Sequence, residues 1–349
     1  MIIPYSKQNI NDDDLHEVSK VLESQFLTTG PKIEEFEEAV RKETKIYYNL
    51  CCSSGTAALH LALMAIGAGP GDEVIIPSIS FVATANAVEY VGATPIFADI
   101  DPETLLIDIN DCDSKITKKT VAIIGVDMAG QKPDYEFLKK LDGNIFIIAD
   151  AAHNFLGHDL NSMKNIDIAC YSFHPVKHIT TGEGGMLATN NNLFYNRAKA
   201  MRNHGRSFRD MVYLGYNYRM SDISAALGIS QLKRVHDFLF ERRQIATRYL
   251  ENEKIKNITL KRNGFHTNHL FIIKVQNRKS VIEYLDKYGI TTQIHYKPIY
   301  ENEYYLKKYD IKPLVNTEYV KREILSIPIF PGLDEKTQDY IINKLLDVI

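Results

Sequence analysis

The sequence predicts an α/β protein with a large, mostly parallel sheet and a smaller α+β unit after it. Short apolar runs recur through the first half, each bounded and of strand length. Helical stretches separate them, which is the rhythm of a parallel sheet. Past Ser221 the pattern turns to helical spacing and then to charge, which marks a change of architecture.

In chain order, residues 73–76, 94–97, 121–124 and 145–148 read as buried strands. Residues 168–173 and 185–189 supply two more, around a loop rich in Gly and Thr. After Ser221, the residues Ile223, Ala226, Leu227, Ile229, Leu232, Val235 and Leu239 recur at helical spacing and lead into a charged stretch from Glu241. A domain boundary is therefore expected near residue 240, giving a large domain over 1–240 and a small one over 241–349. The small domain reads as a strand over 270–275, a helix over 280–287, a strand over 290–296 and a closing helix over 335–348. There are no internal repeats or low-complexity segments.

With 349 residues and 45% apolar content, the chain can bury the core of a two-part globular protein. Its 41 basic and 44 acidic residues give a net charge of −3, with no basic block and no acidic tail, so nucleic acid is not an expected partner. The opening Met1-Ile2-Ile3-Pro4-Tyr5-Ser6-Lys7 lacks the apolar run of a secretory signal, and no later stretch is long enough to span a bilayer. A cytoplasmic protein without membrane contact is expected. Cys51, Cys52, Cys112 and Cys170 show no CxxC spacing and no accompanying His cluster, which points to buried thiols rather than disulfides or a metal site.

Three motifs carry chemistry. Ser53-Ser54-Gly55-Thr56 opens an apolar helix over 57–66. A helix N-terminus has free N–H groups and positive dipole character, so Gly55 and Thr56 could hold a phosphate. An ordinary Ser/Thr cap explains the same four residues. Asp150-Ala151-Ala152-His153 follows the apolar run 145–149, at the strand end where ligands sit in open α/β sheets. A carboxylate beside a heterocyclic nitrogen keeps that nitrogen protonated, and His153 could orient the ring or its phenolic oxygen. The alternative is an Asp that caps the next helix.

The third motif is Ser172-Phe173-His174-Pro175-Val176-Lys177, followed by Thr180-Thr181-Gly182-Glu183-Gly184-Gly185. A lysine in so constrained a loop is poorly explained as solvated surface, although a plain loop lysine is the alternative. A lysine that carries pyridoxal 5′-phosphate (PLP) as a Schiff base must reach the cofactor aldehyde, shed its proton once desolvated and swing aside for substrate. The glycines would let the backbone turn tightly around it.

These motifs belong to a longer set: Leu27-Thr28-Thr29-Gly30-Pro31, Ser54 to Leu59, Phe81-Val82-Ala83-Thr84-Ala85-Asn86, Asp150 to His153, Ser172 to Lys177, and Gly215-Tyr216-Asn217-Tyr218-Arg219-Met220-Ser221. In that order the chain resembles the DegT/DnrJ/EryC1/StrS family of sugar-nucleotide aminotransferases over nearly its whole length. The resemblance implies fold type I of the PLP-dependent transferases, aspartate aminotransferase-like, with a large mixed-sheet domain and a smaller α+β C-terminal domain. It also implies roles: Lys177 as Schiff-base lysine and general base, Asp150 at the pyridine nitrogen, His153 near the ring oxygen and Phe81 stacked on the ring. Gly55, Thr56 and Ser172 would bind the phosphate, with Asn217 reaching it from the other subunit of a homodimer.

Within the family, the segments around Phe81, Ser172-Phe173-His174, Asn268-His269-Leu270 and His295-Tyr296-Lys297-Pro298 are most similar to the branch acting in pseudaminic acid biosynthesis. That similarity implies L-glutamate as amino donor and a UDP-linked 4-keto-6-deoxy-N-acetyl-hexosamine as acceptor, giving UDP-4-amino-4,6-dideoxy-N-acetyl-β-L-altrosamine. Tyr5, Gln25, Phe26, Leu27, Thr28, Ser54, His295 and Tyr296 would then touch the sugar nucleotide. Another UDP- or dTDP-keto-sugar is the alternative acceptor. Dehydratases that resemble this family replace the lysine with histidine, and position 177 is Lys. A non-enzymatic regulatory protein is the reading from a different class, and it predicts no visible absorbance from a bound cofactor.

Overall fold

The apolar runs become the middle of a seven-stranded mixed sheet. A computed structural model describes residues 2–208 and 210–349. The strands of the large sheet are β1 (Tyr48–Cys52), β2 (Glu73–Pro77), β3 (Thr94–Ala98), β4 (Thr120–Val126), β5 (Phe146–Asp150), β6 (Ile168–Ser172) and β7 (Gly185–Thr189). Their order across the sheet is β1-β7-β6-β5-β4-β2-β3. The pairs from β3 through β6 are parallel, whereas β7 runs antiparallel to both β6 and β1.

Both faces of this sheet are covered, which is why its strands are apolar on consecutive residues rather than alternate ones. Along β5, Ile147 and Ala149 enter one core with Phe36, Ile123 and Tyr171. Ile148 enters the opposite core with Ile76, Ile124 and Leu63. The helix Gly55–Ile66 ends on Gly67 in the left-handed region and is buried along most of its length, consistent with its almost uninterrupted apolar sequence.

The antiparallel β7 has one consequence for the site. Its first residue, Gly185, lies opposite both Cys52 at the end of β1 and Ser172 at the end of β6. The turn that follows β1 therefore crosses directly over β7. A Cβ on Gly185 would lie 2.3 Å from the backbone carbon and oxygen of Ser54, a distance that no side chain could occupy.

The remaining strands are short. Arg206–Ser207 (β8) and Asp210–Met211 (β9) pair antiparallel, and Phe271–Lys274 (β10) pairs antiparallel with Ile324–Ile327 (β11). The stretch expected to be a strand over 290–296 forms no ladder. It is tied to two different partners by single bridges, Ile290 to Ile3 and Gln293 to Ser326. The helical pattern after Ser221 spans two helices, Asp222–Leu232 and Val235–Glu251.

Residue 240 lies inside the second of these. Val235 and Phe238 pack into the large core, while Ile245, Ala246 and Tyr249 pack with β10, β11 and the helix Glu335–Leu346. The chain start joins the same second core: Ile3 donates to the Gly289 carbonyl at 2.7 Å, and Ile329 donates to the Tyr5 carbonyl at 3.0 Å. Arg242 sits fully buried, with Nη1 donating to the carbonyls of Asn268, His269 and Ile329 at 3.3, 3.1 and 3.1 Å.

The close approach at Gly185 gives a direct test. Gly185→Ala should destabilise the protein by about 1–3 kcal/mol, the usual cost of overpacking a rigid contact. Urea unfolding would measure it, and an unchanged midpoint would show that the Ser54 turn yields freely.

Candidate active site

A cavity of about 670 Å³ opens at the carboxyl ends of β1, β4, β5 and β6. An open α/β sheet presents its ligands there because strand ends and helix N-termini converge. At one end, Ser54 caps the helix Gly55–Ile66 by accepting from Ala57 N at 3.1 Å. The cap reading of Ser54 is therefore correct, yet it leaves the first two N–H groups, those of Gly55 and Thr56, without an intrahelical acceptor. Ser172 closes this corner, and a Cβ on Gly55 would lie 2.8 Å from the Ser172 Cβ, so only glycine leaves the corner open. Two free N–H groups at a helix start with a hydroxyl opposite form a cradle that could hold a phosphate.

Asp150 ends β5 and is 6% exposed. No helix follows it, so it is not a helix cap; its Oδ1 accepts from Ala152 N at 3.3 Å within a turn. Its Oδ2 accepts from the Thr84 hydroxyl at 2.8 Å. Burial pushes the Asp150 carboxyl above its ordinary range, and the Thr84 and Ala152 hydrogen bonds and the nearby Lys177 charge pull it back.

Lys177 lines the same cavity. Its loop is held from both sides: Lys177 N donates to the His174 carbonyl at 2.9 Å, and Thr181 N and Thr180 Oγ1 donate to the Phe173 carbonyl at 3.0 and 3.1 Å. Desolvation lowers the Lys177 pKa from 10.5 to about 8; Asp150 opposes that shift and Arg242 adds to it. The amine is thus much closer to its neutral, nucleophilic form than a surface lysine.

Aromatic and imidazole rings form the opposite wall. The Tyr296 hydroxyl is 3.0 Å from His153 Nε2, and the Phe81 and Tyr296 ring centroids are 6.0 Å apart. Phe81 is 57% exposed, leaving a flat face toward the opening. His153 Nδ1 is buried without a partner. Burial holds His153 and His269 well below the ordinary imidazole range and lowers His295 to about 3, so this wall is neutral near pH 7. Tyr5 reaches it because the chain start is tied to the second core, and its ring lies 5.3 Å from that of His295.

The cavity thus gathers Tyr5, Ser54, Gly55, Thr56, Phe81 and Asp150, together with His153, Ser172, Lys177, His295 and Tyr296. It does not include Gln25, Phe26, Leu27 and Thr28, which are exposed ahead of the helix Pro31–Thr44 and joined to the Ser221 turn by the Thr28–Ser221 bridge. Asn217 also stands outside it, exposed and bridged to Asn203. Sequence reasoning gave no role to Ser80, Thr84 or His269. Thr84 stood inside a quoted motif, three residues after Phe81, a spacing that returns a side chain to the same side of a helical turn.

Pyridoxal phosphate fits this donor set. The cradle at Gly55 suits its phosphate, the buried Asp150 its ring nitrogen, the orphaned His153 nitrogen a polar ring substituent, and the desolvated Lys177 its aldehyde. Among the described residues, no group of three or more His, Cys, Asp or Glu is arranged to hold a metal ion. All four cysteines are buried and unpaired. No helix of the described residues is long and apolar enough to cross a membrane.

Comparison with known proteins gives the family. The family model of the DegT/DnrJ/EryC1/StrS aminotransferases matches residues 8–346. The spore coat polysaccharide biosynthesis protein SpsC of Bacillus subtilis is 32% identical, over 99% of this chain and 97% of its own. The PLP form of Spr1654 from Streptococcus pneumoniae superposes with a TM-score of 0.93 at 31% identity, over 99% of this chain and 98% of its own, and its PMP form matches equally at 30%. PseC of Helicobacter pylori, an aminotransferase involved in the biosynthesis of pseudoaminic acid, gives 0.91 at 30% identity over 99% of both chains. With the family pattern spanning almost every residue and a lysine standing in a cavity that fits the cofactor, this chain belongs to the DegT/DnrJ/EryC1/StrS aminotransferase family and is a PLP-dependent sugar aminotransferase of fold type I.

Proposed function

We propose that this enzyme transfers the amino group of L-glutamate to C4 of a UDP-linked 4-keto-6-deoxy-N-acetyl-hexosamine, giving UDP-4-amino-4,6-dideoxy-N-acetyl-β-L-altrosamine for pseudaminic acid biosynthesis. The observation that carries the reaction class is the desolvated Lys177 in one cavity with the buried Asp150 carboxylate. The likeness to PseC supports the choice of sugar. The buried, unpaired cysteines suit a reducing cytoplasm, where we place the enzyme.

Bound in the cavity, pyridoxal phosphate supplies an electron sink for negative charge at the carbon next to the transferred nitrogen. The chain supplies the rest. Gly55 and Thr56 N–H groups and the Ser172 hydroxyl bind the phosphate, and Phe81 gives the ring an apolar face. Asp150 keeps the ring nitrogen protonated, and His153 holds the ring oxygen. Lys177 would hold the cofactor through its aldehyde and, with its amine free, would serve as the base that takes up and returns the proton at the reacting carbon. Tyr5, Ser54, His295 and Tyr296 bind the sugar nucleotide. Glutamate leaves as 2-oxoglutarate before the sugar enters, so one site serves both.

The working unit in this reading is a homodimer. Phe26 and Leu27 are each 47% exposed, and Phe208, Met211 and Leu214 are 103, 69 and 77% exposed, large apolar side chains of the kind a symmetric partner would cover. Gln25 to Thr28 then complete the sugar-nucleotide site, and Asn217 reaches the phosphate of the neighbouring site.

Incubation with PLP, glutamate and a panel of UDP- and dTDP-4-keto sugars, with products identified by mass and NMR, should show C4 amination of the UDP-linked N-acetyl sugar. Amination of dTDP sugars alone would overturn the substrate and leave the reaction class standing. Lys177→Ala should lose about 10²–10⁴ in turnover, the general-base share, while melting normally. Refolding it together with an inactive Asn217→Ala chain should recover activity, because one site of each mixed dimer keeps both residues. If mixed dimers form and stay inactive, the shared site is wrong. Covalent capture of PLP by the cofactor-free protein needs the neutral amine, so its rate should rise with pH to a midpoint near 8 rather than at the 10.5 of a free lysine. Stopped-flow absorbance measures this, and a midpoint above 10 would contradict a desolvated Lys177.

A further inference from the structure

Asp150 is held by more than its own turn. Thr84 donates to Asp150 Oδ2 at 2.8 Å, and the Ser80 and Thr84 hydroxyl oxygens are 2.8 Å apart. Both hydroxyl residues are buried, Ser80 at 3% and Thr84 at 0% exposure. Thr84 has one hydroxyl proton, and an ionised carboxylate can only accept. Since Thr84 gives that proton to Asp150, the Ser80–Thr84 bond must be donated by Ser80. The order is therefore fixed: Ser80 to Thr84 to Asp150.

We propose that Ser80 and Thr84 are positioning residues for this aminotransferase, a two-hydroxyl relay that fixes the Asp150 carboxylate for the cofactor's ring nitrogen. The inference rests on the reading of Asp150 given above. The geometry has three parts. Thr84 occupies Oδ2 and Ala152 N occupies Oδ1, so the carboxylate cannot rotate without breaking one of them. The Thr84 backbone is fixed, because it is the second residue of the helix Ala83–Tyr90 and its N–H donates to the Phe81 carbonyl at 3.2 Å. The same turn thus sets both the Phe81 ring and the Asp150 carboxylate.

The relay also acts on charge. A hydrogen bond donated to a carboxylate favours its ionised form, and a chain of two hydroxyls polarises that bond further. The other groups bearing on Asp150 are Lys177, which favours ionisation, and Asp127 on the neighbouring strand end, which disfavours it. Cys170, Tyr135 and Tyr296 also stand close enough to feel the Asp150 charge, and burial keeps all three protonated. The Thr84 and Ala152 hydrogen bonds support the carboxylate whether or not the Lys177 amine is free, and of the two only the Thr84 bond comes from a side chain.

The test compares cofactor-free wild type, Thr84→Val, Thr84→Ser, Ser80→Ala and Asp150→Asn. PLP is titrated into each across pH 5 to 8 with its dissociation constant read from absorbance, and the glutamate half-reaction is followed by single turnover over the same range. Thr84→Val should weaken acid-side PLP binding roughly ten- to hundredfold and move the acid limb of the half-reaction to higher pH by about one to two units, the worth of one hydrogen bond to a charged group. Thr84→Ser should restore both, and Ser80→Ala should shift them the same way by less. A Thr84→Val profile that superposes on wild type, or a Thr84→Ser profile as impaired as Thr84→Val, overturns the relay. Should Thr84→Val fail to fold by circular dichroism, Ser80→Ala decides, and an unshifted profile there overturns it. Asp150→Asn at wild-type affinity and rate would instead defeat the reading of Asp150 itself, so the two failures are distinct.

Discussion

The structure depends on holding an amine and a carboxylate in one cavity. Neither group belongs there by hydrophobicity: desolvation penalises the charged form of each, raising Asp150 and lowering Lys177. The sheet solves the problem by giving each group a rigid support and leaving both facing one opening. Asp150 ends a central parallel strand, and Lys177 sits on a loop pinned through the Phe173 carbonyl. Neutral imidazoles line the remaining wall and add no competing charge near pH 7.

Much of this was legible in the sequence, for a definite reason. β2 to β5 are buried on both faces, so burial alone wrote them as continuous apolar runs at 73–76, 94–97, 121–124 and 145–148. β1 was not read because Tyr48-Asn49-Leu50-Cys51-Cys52 mixes polar and apolar residues; Asn49 is buried through a hydrogen bond to the Ile46 carbonyl rather than by hydrophobicity. The 290–296 stretch is extended but bridged singly to Ile3 and Ser326, a dependence on distant partners that no local pattern encodes.

The site divides the same way. Lys177, Asp150 and Gly55 were readable because each sits in a local motif whose spacing carries the chemistry, and the structure brings them into one cavity. The Asp150 motif had two local readings, and only the absence of a following helix separates them. Ser80 and Thr84 were silent, since two hydroxyls on a turn look like an ordinary helix start. Gln25 to Thr28 and Asn217 stand exposed outside the cavity of the single chain; in the proposed homodimer they would act across the two-fold axis, and a residue of that kind leaves no trace in its own neighbourhood.

The strand order carries a consequence for the birth of the protein. β1 has β7 as its sheet neighbour, so the first strand to leave the ribosome is the last to be matched: β2 to β6 can assemble while residues 48–52 wait for residues 185–189. During that interval a segment with open backbone groups is exposed to other nascent chains, the situation in which edge pairing and misassembly begin. Arrival of β7 ends it in one step, since the same strand closes the sheet and slides beneath the Ser54 turn. The helix Gly55–Ile66 acquires its final footing only then, so a translation product stopped short of residue 185 holds most of the sheet but lacks the finished corner between Gly55 and Ser172.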